Sequence, residues 1–142
     1  MPVRKAHATW EGTLKEGNGN LRLGSGAYDG QYNFSSRFEE GVGTNPEELL
    51  GAAHAGCYTM KLNAVLHSKG YAPERVQSTA NVTLEPVDGV QTITKIVMDT
   101  TVEIDGLDEA ELKAIAQEAH DGCIVSIALG AVPEIVINAT LA

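Results

Sequence analysis

The sequence predicts an α+β fold, and three observations predict it. Alternating apolar positions mark strands near both ends of the chain, and a long uninterrupted helical pattern occupies the middle. The elements are also grouped: three strands, a long helix, a hairpin, a helix and a closing strand. That order is not the regular βαβ alternation of a parallel sheet.

Element by element, AHATWEGTL and NLRL read as two strands joined across EGNGN, whose Asn-Gly is a hairpin signal. The glycine-rich stretch Gly24 to Gly30 reads as a second turn, and QYNFSSRF as a third strand ending at Arg37-Phe38. GTNPEELL is a strong helix start. Asn45 suits the N-cap, Pro46 the first helical position, and Glu47 and Glu48 the positive end of the dipole. Apolar periodicity runs on to Leu66 and Gly70 supplies the stop, giving a helix of about 24 residues and roughly 36 Å. Its GAAHAG segment is nearly bare of side chain, so the helix is expected to be central and crossed by a second one.

VQSTANVTLE alternates with Val76, Ala80, Val82 and Leu84 on one face, and ITKIVMDTTVEI with Ile96, Met98, Val102 and Ile104 on one face. PVDGVQ joins them as a hairpin. DEAELKAIAQEAH is an amphipathic helix with Asp108 and Glu111 in capping-box positions and Leu112, Ile115 and Ala119 turned inward. DGC breaks it, IVSIALG forms a short second helical segment, and EIVINATL is the last strand.

The chain has 142 residues, enough for one domain spanning 1–142 with a real core. Ten Lys and Arg against 19 Asp and Glu give a net charge of −9, so phosphate backbones and anionic lipid are repelled. Nucleic acid and membrane are thus not expected partners. The N-terminus lacks a signal-peptide pattern and no apolar run approaches the roughly 20 residues of a bilayer span. The expected compartment is the cytoplasm. There thiols are kept reduced, so a bridge between them would be transient and catalytic.

The chemistry centres on the two cysteines, Cys57 in HAGC and Cys123 in HDGC. Three readings compete. His54, Cys57, His120 and Cys123 could form a zinc site in a non-enzymatic binding module, although structural zinc favours ligand pairs on tight turns rather than in mid-helix. Both thiols could be inert core residues, since free cysteine is often buried. Or they could react with each other. Cys123 follows a glycine at a helix start, where unpaired N–H groups favour a thiolate, and Cys57 lies among small residues that leave its sulfur reachable. Elsewhere the signals are weak. GNGNLRLGSG lacks phosphate-loop spacing, and Ser126 with His120 makes no nucleophile pattern.

SSRFEE, GTNPEELLGAAHAGC and DGCIVSIAL, with AHATWEGTLKEGNG and TITKIV, resemble the family of osmotically inducible protein C and the organic hydroperoxide resistance proteins (OsmC and Ohr). The resemblance covers nearly the whole chain and leans to the OsmC branch. It implies an OsmC-like fold of antiparallel sheets packed on the long helix, in an intertwined homodimer with two sites at the interface. It also implies a cofactor-free, thiol-dependent peroxidase that reduces organic hydroperoxides, and hydrogen peroxide less well, with an external dithiol as reductant. By motif, Cys57 is the peroxidatic thiol and Cys123 the resolving thiol. Arg37 stabilises the thiolate, and Glu47 holds Arg37. On this reading His54 and His120 are neighbours rather than ligands. One position departs from the family pattern: Ile124 stands where a proline commonly follows the resolving cysteine.

Overall fold

A computed structural model describes the whole chain, Met1–Ala142, which divides into two compact units, Met1–Leu49 and Leu50–Ala142.

The first unit holds an antiparallel sheet in the order β1 (Ala6–Glu11), β2 (Asn18–Leu23), β3 (Asp29–Tyr32). Its first connection differs from the expected EGNGN turn. β1 stops at Glu11, Gly12 adopts φ +94°, and Asn18–Asn20 belong to β2. Trp10 explains the early stop, because its indole Nε1 donates to the carbonyls of Gly12 and Thr13 and folds the chain over the ring. Gly19, part of the misread turn, instead permits an aromatic contact. A Cβ there would lie 2.4 Å from the Tyr32 ring and 2.6 Å from the Trp10 ring, which meet edge to face at 5.3 Å.

A second correction follows β3. Residues expected to continue the strand form a short helix, α1 (Phe34–Phe38). Asn33 Oδ1 accepts from the Ser36 amide and Ser36 Oγ accepts from the Asn33 amide, a reciprocal capping box that outweighs the strand preference of two phenylalanines. Arg37 therefore sits in the last turn of a helix, not at a strand end.

The long helix α2 (Pro46–Ser68) starts and stops as expected: Asn45 Oδ1 accepts from the Glu48 amide, and Gly70 adopts φ +87°. In the second unit it packs with a three-stranded sheet and a helical crossover. The hairpin of β4 (Arg75–Val87) and β5 (Val90–Glu103) turns on Asp88 and Gly89, with φ of 50° and 80°. Two positive φ values in a two-residue loop match the twist of paired strands. α3 (Glu109–Asp121) is capped by Asp108, which accepts from the Glu111 amide, and Gly122 separates it from α4 (Ile124–Ala128). β6 (Glu134–Leu141) then pairs with β5 in parallel, so this sheet is mixed rather than antiparallel. The α3–α4 crossover is what makes a parallel return possible.

Tyr58, Leu62 and Leu66 of α2, Met98 and Val102 of β5, and Leu112, Ile115 and Ala119 of α3 form one buried cluster that also contains Cys123. Each large apolar side chain removed from water there contributes about 1.5–3 kcal/mol. The second helix that meets the small-residue segment is α4, whose Ser126 Oγ lies 2.7 Å from His54 Nε2. A Cβ at Gly51 would meet Val82 of β4 at 3.3 Å, while Ala52, Ala53 and Gly56 are exposed.

Candidate active site

The core cluster brings the two thiols together. Cys57 lies in the middle of α2 and Cys123 is the N-cap of α4, yet their sulfurs stand 3.2 Å apart as free thiols. Tyr58 and Leu62 fix α2 on one side, and Ala119 and Leu112 fix α3 on the other, so the pair is held by packing rather than by a covalent bond. The thiols differ in access: Cys123 is fully buried, whereas Cys57 is half-buried.

They differ electrostatically too. Burial opposes ionisation of Cys123, but hydrogen bonds from the Ser126 hydroxyl and amide, from the Cys57 thiol and from the Val125 amide outweigh it. The net result holds its pKa below the ordinary thiol value. The Ser126 amide lies 3.5 Å from the sulfur, the donation expected at a helix N-cap.

His54 does not join Cys57 as a ligand. Its Nε2 lies 2.7 Å from Ser126 Oγ, across to α4. No three His, Cys, Asp or Glu side chains anywhere in the chain stand where they could hold a metal ion, so HAGC and HDGC do not assemble the zinc site considered above. Burial, with a smaller contribution from nearby His120, lowers the His54 pKa and keeps the ring neutral near pH 7.

Within the first unit, Arg37 and Glu47 form the pair that the motif implies. Arg37 Nη2 donates to Glu47 Oε1 at 2.8 Å, and Nε lies 3.2 Å from Oε1 and 3.3 Å from Oε2. This fork-to-carboxylate geometry is specific to arginine. The Glu47 side chain is 11% exposed and that of Arg37 is 37% exposed, so the carboxylate is the sunken partner and the guanidinium the presented one. Ser36 Oγ donates to the Thr44 carbonyl at 2.8 Å and Asn45 Nδ2 to the Ser36 carbonyl at 3.0 Å, which ties α1 to the start of α2. Beside Arg37 opens a cleft of about 230 Å³ lined by Trp10, Leu14, Tyr32, Asn33, Phe34 and Phe38.

Sequence reasoning named four candidate residues, of which Cys57 and Cys123 meet in one unit and Arg37 and Glu47 in the other. It missed Ser126 as a partner of His54 and the aromatic cleft. The His54–Ser126 bond spans 72 positions and leaves no local signal. The cleft had one, the recurrence of aromatic residues at positions 10, 32, 34 and 38.

Comparison with known proteins bears on this geometry. The profile of the OsmC-like protein family matches residues 39–138. The chain is 43% identical over 129 residues to the peroxiredoxin OsmC of Escherichia coli, covering 90% of each chain. It is 31% identical over 86 residues to an organic hydroperoxide resistance protein of Xanthomonas axonopodis, covering 58% of this chain and 57% of that one. Among solved structures, an OsmC-like protein of unknown function from Vibrio cholerae superimposes with a TM-score of 0.75 at 18% identity, over 99% of this chain and 100% of the other. An organic hydroperoxide resistance protein from Legionella pneumophila gives 0.72 at 20% identity, over 100% and 99%.

Proposed function

Because the chain belongs to the OsmC-like protein family, we propose that it is a thiol-dependent peroxidase that reduces organic hydroperoxides through Cys57 and Cys123. The observation that carries this reading is the thiol pair itself. Two free sulfurs at 3.2 Å, one reachable and one buried, suit a two-step oxidation.

In the first step the Cys57 thiolate attacks the terminal peroxide oxygen. The S–O bond forms, the O–O bond breaks, and the departing alkoxide takes a proton to leave as the alcohol. In the second, Cys123 attacks the sulfur of the Cys57 sulfenic acid. The S–S bond forms, the S–O bond breaks, and hydroxide leaves as water with the Cys123 proton. An external dithiol then returns both cysteines to thiols by exchange. The two sulfurs and the dithiol account for every electron, so no step calls for a metal or cofactor.

We assign Arg37 to the thiolate and to the charge developing on the leaving oxygen. A carboxylate near a thiolate would by itself oppose ionisation, so Glu47 serves by fixing the guanidinium through paired hydrogen bonds. The apolar cleft beside Arg37 suits the organic group of a hydroperoxide better than hydrogen peroxide, which gains nothing from apolar contact.

The single OsmC-like domain, 1–142, works on this reading as an intertwined homodimer. Support comes from the apolar surface on the two thiol-bearing helices: Met60 of α2 is 77% exposed, and Ile124 and Ile127 of α4 are 78% and 65% exposed. The adjoining Ala52, Ala53 and Gly56 would let a second backbone approach closely. No helix of the chain is long and apolar enough to cross a membrane. We place the protein in the cytoplasm, where dithiol reductants abound. Counting free thiols before and after one equivalent of cumene hydroperoxide tests the proposal: both cysteines should be consumed, and unchanged thiols would end it.

A further inference from the structure

His54 has no part in the cycle above, yet it is fully buried and partnered on one side only. Nε2 meets Ser126 Oγ at 2.7 Å, and Nδ1 meets no hydrogen-bonding atom. The ring is neutral, so one nitrogen carries the proton and the other a lone pair. A buried N–H without an acceptor is rarer in folded proteins than a lone pair without a donor. The proton therefore belongs on Nε2, and Nδ1 is the bare nitrogen. Nε2–H then donates to Ser126 Oγ, which leaves the serine's own proton free to point elsewhere. The sulfur of Cys123 accepts from the Ser126 amide at 3.5 Å, and the Ser126 hydroxyl is the foremost of the donors that favour its thiolate.

We infer that His54 and Ser126 are positioning residues for the resolving step, forming a donor chain from His54 Nε2–H through Ser126 Oγ–H to Cys123 Sγ that favours the buried thiolate. The benefit rests on the peroxidase reading, although the geometry does not. Resolution requires Cys123 to give up its proton while no water can reach it. A chain of two donors fixed by packing supplies the stabilisation that solvent would otherwise give. The neutral ring matters as well, since a bare Nδ1 on a charged imidazolium is impossible and a charged ring would have to find a second acceptor in the core. The other titratable groups around Cys123 are Cys57, His120, Lys61 beside Gly122, and Tyr58. Burial pushes Tyr58 up to about 12, so it stays a neutral phenol throughout the range of interest.

The test measures Cys123 directly. In the Cys57→Ser protein Cys123 is the sole cysteine, and the ultraviolet absorbance of its thiolate can be followed against pH without any peroxide. Ser126→Ala in that background should raise the midpoint by about one pH unit or more, the loss of a hydrogen bond to a charged acceptor. His54→Leu should move it the same way, and His54→Gln, whose side-chain amide can donate to Ser126, should restore most of the shift. An unchanged midpoint in Ser126→Ala overturns the inference, as does a His54→Gln protein that titrates like His54→Leu. Ser126→Ala deletes one hydroxyl and keeps the test decisive should His54→Leu fail to fold. With Cys57 present, one equivalent of hydroperoxide should form sulfenic acid at the normal rate in Ser126→Ala, with disulfide closure slowed about tenfold near neutral pH. A chain that lacked peroxidase activity would still show the titration shifts, so the two readings fail separately.

Discussion

The order in which the thiols react can be tested by removing each in turn. Cys123 is the one whose surroundings favour the thiolate, so ionisation alone would make it the first to meet peroxide. Access argues the other way, since Cys123 is fully buried behind α4 and Cys57 is half-buried on α2. A hydroperoxide must align its O–O bond with the attacking sulfur, which a sulfur without exposed surface cannot offer. Access should therefore decide, with Cys57 oxidised first. The second step then has its geometry prepared. A separation of 3.2 Å lies within the range of a near-attack conformer, and the sulfurs need to close by only about 1.2 Å to reach bonding distance.

Well-oriented intramolecular reactions reach effective molarities on the order of 10⁵ M or above. Against millimolar external thiol that is an advantage of roughly 10⁸, and even after surrendering four decades to imperfect alignment it is about 10⁴. Cys123→Ser should thus consume one equivalent of peroxide at a near-normal rate, then lose disulfide formation and accumulate sulfenic and later sulfinic acid on Cys57. Cys57→Ser should lose turnover, and its remaining thiol should react slowly. Stopped-flow kinetics with intact-mass spectrometry of the two variants reads both outcomes. Rapid sulfenic acid formation on Cys123 in Cys57→Ser would refute the argument from access.

Arg37→Ala should lower kcat/KM for an organic hydroperoxide by about 10²–10³, with partial recovery as pH rises, and Arg37→Lys should rescue poorly because it cannot reproduce the fork on Glu47. A wild-type rate for Arg37→Ala in mildly acidic buffer would remove the residue from the mechanism. Ala53→Leu should leave the isolated fold intact, because Ala53 is exposed, while weakening a dimer by about 1–3 kcal/mol through overpacking. Light scattering that finds the unmodified protein a fully active monomer would defeat it. Ile124→Pro should be tolerated and stabilise the fold by about 0.4–1 kcal/mol in thermal unfolding. Ile124 is the first residue of α4, and Cys123 ahead of it already has the extended backbone (ψ 118°) that a following proline requires. A marked loss of stability would show that the Ile124 amide or side chain matters more than its exposure suggests.

Legibility in the sequence followed the range of the interaction. The closing strand Glu134–Leu141, the start of α2 at Asn45-Pro46, the Asp108 cap and the Asp88-Gly89 hairpin were readable because each is decided within four or five residues. α1 was decided just as locally, by Asn33 and Ser36, but its signal competed with the strand pattern of Tyr32, Phe34 and Phe38 and was overridden. The first turn was misread for a different reason. Asn18-Gly19 is a turn dipeptide by composition, yet here the glycine is spent on the approach of Trp10 and Tyr32, a contact between three separate strands. The parallel pairing of β6 depends on where a whole crossover lands, which no residue in the strand encodes.

The same distinction explains His54. Positions three apart on a helix share a face, so His54 and Cys57 invite a reading as a pair. Three residues turn the helix through about 300°, which leaves the two side chains roughly 60° apart around its axis. On α2 that offset separates the core-facing side from its margin: His54 is fully buried and Cys57 half-buried. The imidazole thus meets Ser126, whose amide donates to the distant cysteine rather than the near one. On the proposed cycle, separate support for the two sulfurs would let the exposed one be tuned for peroxide and the buried one for the sulfenic acid, each half being adjusted independently.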